Sequence, residues 1–177
     1  MKKKTIIFAM LIISALTLTG CYTLAVPEDA VSSIEGTGSW NTGTFQGSDD
    51  RYISISTFGA FSNSVEAGAN ASGSIFVTDD SAAVRISVRQ YGRFKDARDG
   101  WCSCTIRNAS TGEELAHSVG EIRNSSFIFY NGHARKLVEA FAREVDEIIY
   151  LEGNGASYTL YLRPAGFVNA LSTYILK

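Results

Sequence analysis

Only two histidines, His117 and His133, occur in the 177 residues, so imidazole chemistry has two candidates and no more. They lie in separate elements without ligand-like spacing, and a zinc site built on Cys102 and Cys104 would need both. No Gly-x-Ser-x-Gly turn is present to expose a serine nucleophile, and no carboxylate pair stands out for acid–base work. Asp49-Asp50 and Asp79-Asp80 lack the alternating acids and central glycine of a calcium loop, and read as turn residues. There is no internal repeat, and the Asn-x-Ser triplets at Asn70, Asn108 and Asn124 read as loop composition. These absences leave no compact catalytic constellation, no recognisable set of metal ligands and no cofactor motif, and favour a protein that is not an enzyme.

What is present begins with an uncharged run from Thr5 to Pro27. Its 23 residues exceed the roughly 20 needed to cross a bilayer, so length does not exclude a span. The layout favours an export signal instead. Lys2, Lys3 and Lys4 form a basic start, "TIIFAMLIISALTLT" is an apolar stretch of signal-peptide length, and Thr17, Thr19, Gly20, Tyr22 and Thr23 then weaken the run. No aromatic or basic anchor follows it; the next charged residues are Glu28 and Asp29.

Leu18-Thr19-Gly20-Cys21 resembles the lipobox of bacterial lipoproteins: an apolar residue, two small ones, then cysteine. The resemblance implies a diacylglycerol thioether on Cys21, cleavage before it, and acylation of the new amino group by a palmitate-type chain. Several acyl chains, at ~0.8 kcal/mol per buried CH₂, anchor a protein far more firmly than one chain. The alternative is an uncleaved signal anchor with a chance cysteine. Tyr22, rather than Asp, after the cysteine resembles the pattern sent to the outer membrane in a Gram-negative host. The reading is therefore a signal peptide over 1–20, a lipidated flexible tether over 21–38 and one domain over 39–177. About 15 flexible tether residues would reach ~20 Å from the bilayer.

Loss of residues 1–20 removes three lysines and no acid, leaving 13 basic against 18 acidic side chains. A mildly acidic, mixed surface argues against nucleic acid as a partner, since phosphate binding wants a concentrated basic face. With 45% hydrophobic residues and 11% aromatics, the chain has a globular composition, not a disordered one. In the Gly/Ser/Thr-rich stretch before residue 50, Trp40 and Phe45 are expected to dock on the domain as an irregular first strand.

From residue 51 the apolar period is two. Ile53 and Ile55 face one way in "RYISISTF", with Ser54 and Ser56 on the other side. "GSIFVT", "AVRISVRQYGRF", "WCSCTIRN", "EELAHSVGEI" and "SSFIFY" continue the pattern, with turns at Asp79-Asp80-Ser81, "DARDG" (read as a hairpin) and "STG". The period then becomes helical: Ala134, Leu137, Val138, Phe141 and Val145 form one stripe, predicting an amphipathic helix over 133–145. Asn131 is its expected N-cap, and Glu139–Arg143 a supporting i,i+4 pair. "EIIYLEG" and "SYTLYLR" form a hairpin through "GNGA", and Pro164 opens a short C-terminal helix bearing Phe167, Ala170, Leu171 and Tyr174 on one side. The fold class is mainly β: an antiparallel β-sandwich of about eight strands, one amphipathic helix and a short closing helix.

The stretch from Leu137 to Leu171, and "GFVNAL" within it, resembles the end of the invasion-associated locus B family of exported bacterial proteins. That resemblance implies a β-sandwich and says little of activity. The family's spread-out cysteine pairs are missing here. Cys102 and Cys104 project from one face of a strand together with Ile106, with Cα atoms ~6.6 Å apart. Three readings stay open for them: buried inert thiols, a bulged local disulfide, or half of a metal site. His117 alternates with Leu115 and Val119 and is expected to face inward or lie at a rim.

One patterned polar feature remains. Arg85, Arg89 and Arg93, with Tyr91 and Lys95, alternate along one strand face, and Arg107 is a candidate neighbour. Such a row suits an anionic polymer or acidic partner, the alternative being a solvated face whose charges pair across strands. The functional expectation is a membrane-anchored envelope lipoprotein whose partners are the bilayer, through acylated Cys21, and an envelope polymer or protein. The alternative is a periplasmic or surface hydrolase or redox enzyme with a site assembled from scattered residues.

Overall fold

The computed structural model describes residues 38–47, 49–65, 67–78, 83–90, 100–124 and 126–175, with the backbone alone for Arg89 and Gln90. Cys21 and its lipobox, Tyr91, Arg93, Phe94 and Lys95 lie outside the described residues.

Among the described residues, alternation along each segment produces nine strands: β1 (Asn41–Thr44), β2 (Arg51–Asn63), β3 (Ala69–Thr78), β4 (Ala83–Gln90), β5 (Gly100–Asn108), β6 (Glu114–Arg123), β7 (Ser126–Tyr130), β8 (Glu147–Gly153) and β9 (Ala156–Leu162). Between β7 and β8 runs helix α1 (Asn131–Phe141); after β9 come a single helical turn, α2 (Phe167–Ala170), and a π-helical turn (Leu171–Ile175). The architecture is mainly β and antiparallel, as the period predicts. The strands form one sheet in the order β1-β2-β3-β4-β7-β6-β5-β8-β9, with β2 also bonded to β9.

That last pairing makes β2 to β9 a closed eight-stranded barrel where the sequence suggests a two-layer sandwich. The cause is the length of β2. Its first residues pair with β1, opposite Asn41–Thr44, and its last six, Phe58 to Asn63, pair with β9. Gly59 permits the join, because a Cβ there would lie 1.8 Å from the Thr159 carbonyl oxygen. Closure removes two open sheet edges that a sandwich would have to protect.

A second departure lies between β4 and β5. They are not neighbours: β4 pairs with β7, and β5 with β6 and β8. The segment read as a hairpin therefore connects separated strands. The "GNGA" turn does form as expected, with Asn154 at φ 51° and Gly155 at φ 75°, the left-handed pair that a two-residue hairpin requires.

Inside the barrel Ile53, Ile55, Ile75, Val84, Ile86, Ile106, Phe127, Phe129, Leu151 and Leu160 are almost wholly buried. β6 and β7 share only three paired positions, and α1 packs against β6, β4 and β7 beside that short seam. Ala134, Leu137, Ala140 and Phe141 are its buried face. Trp40 docks as expected, its Nε1 donating to the Pro164 carbonyl at 3.1 Å and its ring 4.9 Å from Phe167.

The helix is shorter than predicted and is capped differently. Tyr130 precedes the helix without a side-chain bond, and Asn131 opens it in a left-handed conformation at φ 51°. The chain turns after Phe141, with Glu144 left-handed at φ 53°, so Val145 lies outside the helix. Arg143 reaches Glu113 at 3.5 Å instead of Glu139. The Glu144 carboxylate accepts the Val168 amide hydrogen at 3.1 Å, tying the end of α1 to the start of α2.

Candidate functional site: a hydroxyl-floored cleft

The outward-facing residues of β2, β3, β4 and β7 fall into rows across the strands. Ser56 lies opposite Ser74, Ser74 opposite Ser87, and Ser87 opposite Ser126. Four serines thus sit in one row across four adjacent strands, the strands themselves lying about 4.8 Å apart. The row on one side runs Ser54, Phe76, Arg85, Ile128; on the other, Phe58 faces Ser72, and Ser72 faces Arg89.

Above this floor is a cleft of about 470 Å³ lined by Phe45, Ser56, Phe58, Ser72, Ser74, Phe76, Arg85 and Ser87. One wall is aromatic. Phe45 packs on Tyr52 at a tilt of 43°, 4.7 Å between ring centres, and Tyr52 meets Phe76 edge-on at 5.4 Å. Phe58, 41% exposed, stands at the other side.

Arg85 is held in place by hydroxyls. Its Nε donates to Ser126 Oγ at 3.0 Å, and Ser126 in turn shares a 3.0 Å bond with Ser87. Ser126 is fully buried, so it is a fixed post for the guanidinium. No carboxylate among the described residues pairs with Arg85. A guanidinium has five donors in a planar fork, and one bond from Nε leaves the two Nη groups for a ligand.

Of the expected arginine row, then, the structure places Arg85 in the cleft and Arg89 in register with Ser72 beside it; Arg93 lies outside the described residues. Arg107 belongs elsewhere, on β5, where it meets Glu114 at 3.4 Å. The serine row escaped the sequence reading because facing polar residues become neighbours only once strand order and register are known. The visible signal was the alternating serines of "ISIS" and "ASGS" and the single outward serine of "RISV".

The other candidates lie far from such an arrangement. Cys102 and Cys104 are buried free thiols, so the bulged disulfide does not form. Burial pushes the Cys102 thiol up to about 11, against a smaller opposing effect of the Gly120 backbone hydrogen bond, and burial likewise raises Cys104. Among the described residues no three metal-binding side chains gather. His117 does not face inward: it is exposed and bonded to Thr105 Oγ1 at 3.0 Å. The reason is that the inner row of β6 is Ala116, Ser118, Gly120 and Ile122, small where neighbouring structure comes close. A Cβ on Gly120 would lie 2.4 Å from the Ile128 carbonyl oxygen, and Ser118 donates to the His133 carbonyl of α1 at 2.8 Å. His133 is exposed in the first turn of α1, its Nδ1 taking the Val119 amide hydrogen at 3.4 Å.

One titratable group was missed altogether. Glu147 opens β8 fully buried, with neither carboxylate oxygen bonded, and burial raises its pKa to about 8 despite Arg143 nearby. Its place next to Ile148 and Ile149 gave no sign of whether it faced in or out. No protein-family model, curated protein or solved structure matches the chain.

Proposed function

We propose that this protein is a lipid-anchored component of the bacterial cell envelope that binds its ligand, without turnover, in the cleft over β2, β3 and β4. The anchor is acylated Cys21, and the ligand carries an anionic group that meets Arg85. The observation that carries this reading is the Arg85 guanidinium, fixed through Nε by a buried serine while its fork lacks an acidic partner among the described residues. An unneutralised, positioned arginine in a cleft is a recognition element for a carboxylate or phosphate.

The lining supports binding over catalysis. Its described side chains are hydroxyls, phenyl rings and one guanidinium, with no imidazole, carboxylate or thiol to move a proton. In a Gram-negative host the outer membrane is the favoured address, on the strength of Tyr22.

Two measurements test the reading. Growth with a labelled fatty acid should label the wild type, and Cys21→Ser should lose the label and keep residues 1–20; label on the Cys21→Ser protein overturns the anchor. Full-length protein in detergent should sediment with washed envelope fragments, and Arg85→Gln should lose at least tenfold in that binding with unchanged thermal unfolding. Equal sedimentation of the two proteins overturns the cleft as the binding site.

A further inference from the structure

We infer that the cleft recognises a saccharide unit carrying a carboxylate, a deduction that rests on the cleft being the binding site. Three features of the lining converge on this chemistry, each on a different part of the ligand.

The first is the floor. Ser56, Ser74 and Ser87 present three hydroxyls in one register row, with Ser72 beside them. A serine hydroxyl both donates and accepts, as a sugar hydroxyl does, so a row of them pairs with a polyol in either sense. An apolar ligand would bury the Ser56 and Ser74 hydroxyls without supplying a partner, at a cost of about 1–3 kcal/mol each, whereas Ser87 already shares a bond with Ser126. A strand-forming peptide would need open backbone edges, whereas β3 is bonded on both sides, to β2 and to β4.

The second is the wall. Phe45, Tyr52 and Phe76 form a mutually packed aromatic group at one side of the floor, with Phe45 and Phe76 lining the cleft. A pyranose ring has an apolar C–H face and a polar rim, so it can lay the face on an aromatic ring while its rim meets hydroxyls. A wall of rings next to a floor of hydroxyls matches that division.

The third is the charge. Arg85 stands in the row adjacent to the serines, directly opposite Phe76 on β3. A group bound on the wall therefore has the guanidinium fork beside it. One planar fork matches one planar carboxylate by two parallel bonds. At about 470 Å³ the cleft holds one or two sugar rings, within the size range of small-molecule sites.

The test titrates full-length, isotope-labelled protein in detergent with galacturonic acid dimer, N-acetylmuramic acid and sialyllactose. Lactose and chitobiose serve as neutral counterparts, and acetate and inorganic phosphate as bare anions. The expected result is saturable shifts of the Ser56, Ser74 and Ser87 amides by at least one acidic sugar, with its neutral counterpart about tenfold weaker and the bare anions without effect at equal concentration. Arg85→Gln should erase the acidic preference and leave the residual neutral binding, Arg85→Lys should restore only part of it, and Phe76→Ala should weaken acidic and neutral sugars alike. If no sugar shifts these amides while Arg85-dependent binding to envelope fragments persists, the saccharide is wrong and the cleft stands as a site for another anion. If phosphate alone competes, the ligand is a phosphate. If Arg85→Gln changes neither envelope binding nor sugar binding, the cleft itself falls.

Discussion

The barrel has two halves that use the same residue types in opposite ways. In β2, β3, β4 and β7 the inner rows are aliphatic and aromatic but for Thr57, whose hydroxyl bonds to the Tyr161 carbonyl, and the outer face carries an arginine held by serine hydroxyls. In β5, β6 and β8 the inner rows include Cys102, Cys104, Ser118 and the buried Glu147, while the outer arginines are matched with acids: Arg107 with Glu114, and Arg123 with Glu121 at 3.0 Å. A guanidinium already paired with a carboxylate is a closed account; one oriented by neutral hydroxyls keeps its charge for a visitor. Sequence alternation alone makes Arg85 and Arg107 look alike. Their cross-strand neighbours separate them, and those neighbours follow from strand order.

The halves meet at two seams, the short β6–β7 pairing and the six-residue β2–β9 pairing, and the largest effect is expected at the second. Gly59→Ala would drive a methyl group into the Thr159 carbonyl, a backbone atom that cannot move without breaking the ladder. We expect a loss of at least about 4 kcal/mol or failure to fold, measured by urea unfolding. A loss below about 1 kcal/mol would mean that the halves behave as separate layers, as in the sandwich anticipated from the sequence.

Glu147 tests the interior of the second half. Its pKa is raised from 4.5 to about 8 by burial, with Arg143 opposing and Asp146 reinforcing the shift. The native state therefore holds a proton that the unfolded chain has released between those pH values. Stability falls as pH rises from about 4.5 and levels off above about 8. Glu147→Gln removes the ionisation, so the variant should exceed the wild type by about 2–4 kcal/mol at pH 9 and come close to it at pH 4. Urea unfolding of both proteins at the two pH values checks this, the difference cancelling slopes due to other carboxylates. A constant difference across pH would show that Glu147 is ionised in the native protein.

These contrasts mark the limits of what the sequence made legible. The strand faces of β2 and β4 could be read, because Ile53/Ile55 and Val84/Ile86/Val88 alternate with polar residues and only one face can be buried. The inward direction of Cys102, Cys104 and Ile106 followed in the same way, as did the tight turn at Asn154-Gly155. For β6 the sequence left His117 inward or at a rim, and the structure puts it on the exposed outer row. The strand's larger residues, Leu115 and Val119, face outward, since α1 and β7 approach its inner side closely enough to require Ala, Ser and Gly. Hydrophobicity reports burial, whereas here close approach selected for size. The serine row was invisible for a different reason: it is a property of four strands in register, and β4 finds β7, not β5, as its neighbour.

The thiols sharpen the interior contrast at a smaller scale. Cys104 is fully buried and lies opposite Ser118, with Ile106 two residues along the same face. Cys104→Ser replaces a weakly polar group by one that needs a partner, and we expect a cost of about 1–2 kcal/mol by thermal unfolding. Cys102 and Cys104 should also resist alkylation at pH 8 until the protein is unfolded, because burial holds both thiols in the unreactive protonated form. Rapid labelling of the native protein would place them at a surface instead.

The smallest effects should come from the outer arginines, and here the two halves differ most clearly in kind. Arg107→Gln and Arg123→Gln each break an exposed ion pair, and such pairs contribute about 0–1 kcal/mol, so unfolding should barely shift. Raising the salt concentration should shrink even that, since the Debye length falls from about 8 Å at physiological ionic strength to about 3 Å at 1 M, the scale of these pairs. Neither substitution should alter attachment to envelope fragments. Arg85→Gln should be equally mild on unfolding, because glutamine retains a donor for Ser126, yet it should remove at least tenfold of that attachment. The double comparison reads stability and binding on all three variants in one preparation. If Arg107→Gln or Arg123→Gln weakened attachment as much as Arg85→Gln, the barrel would be using diffuse charge around its whole circumference, and the hydroxyl-held guanidinium would have no special part in recognition.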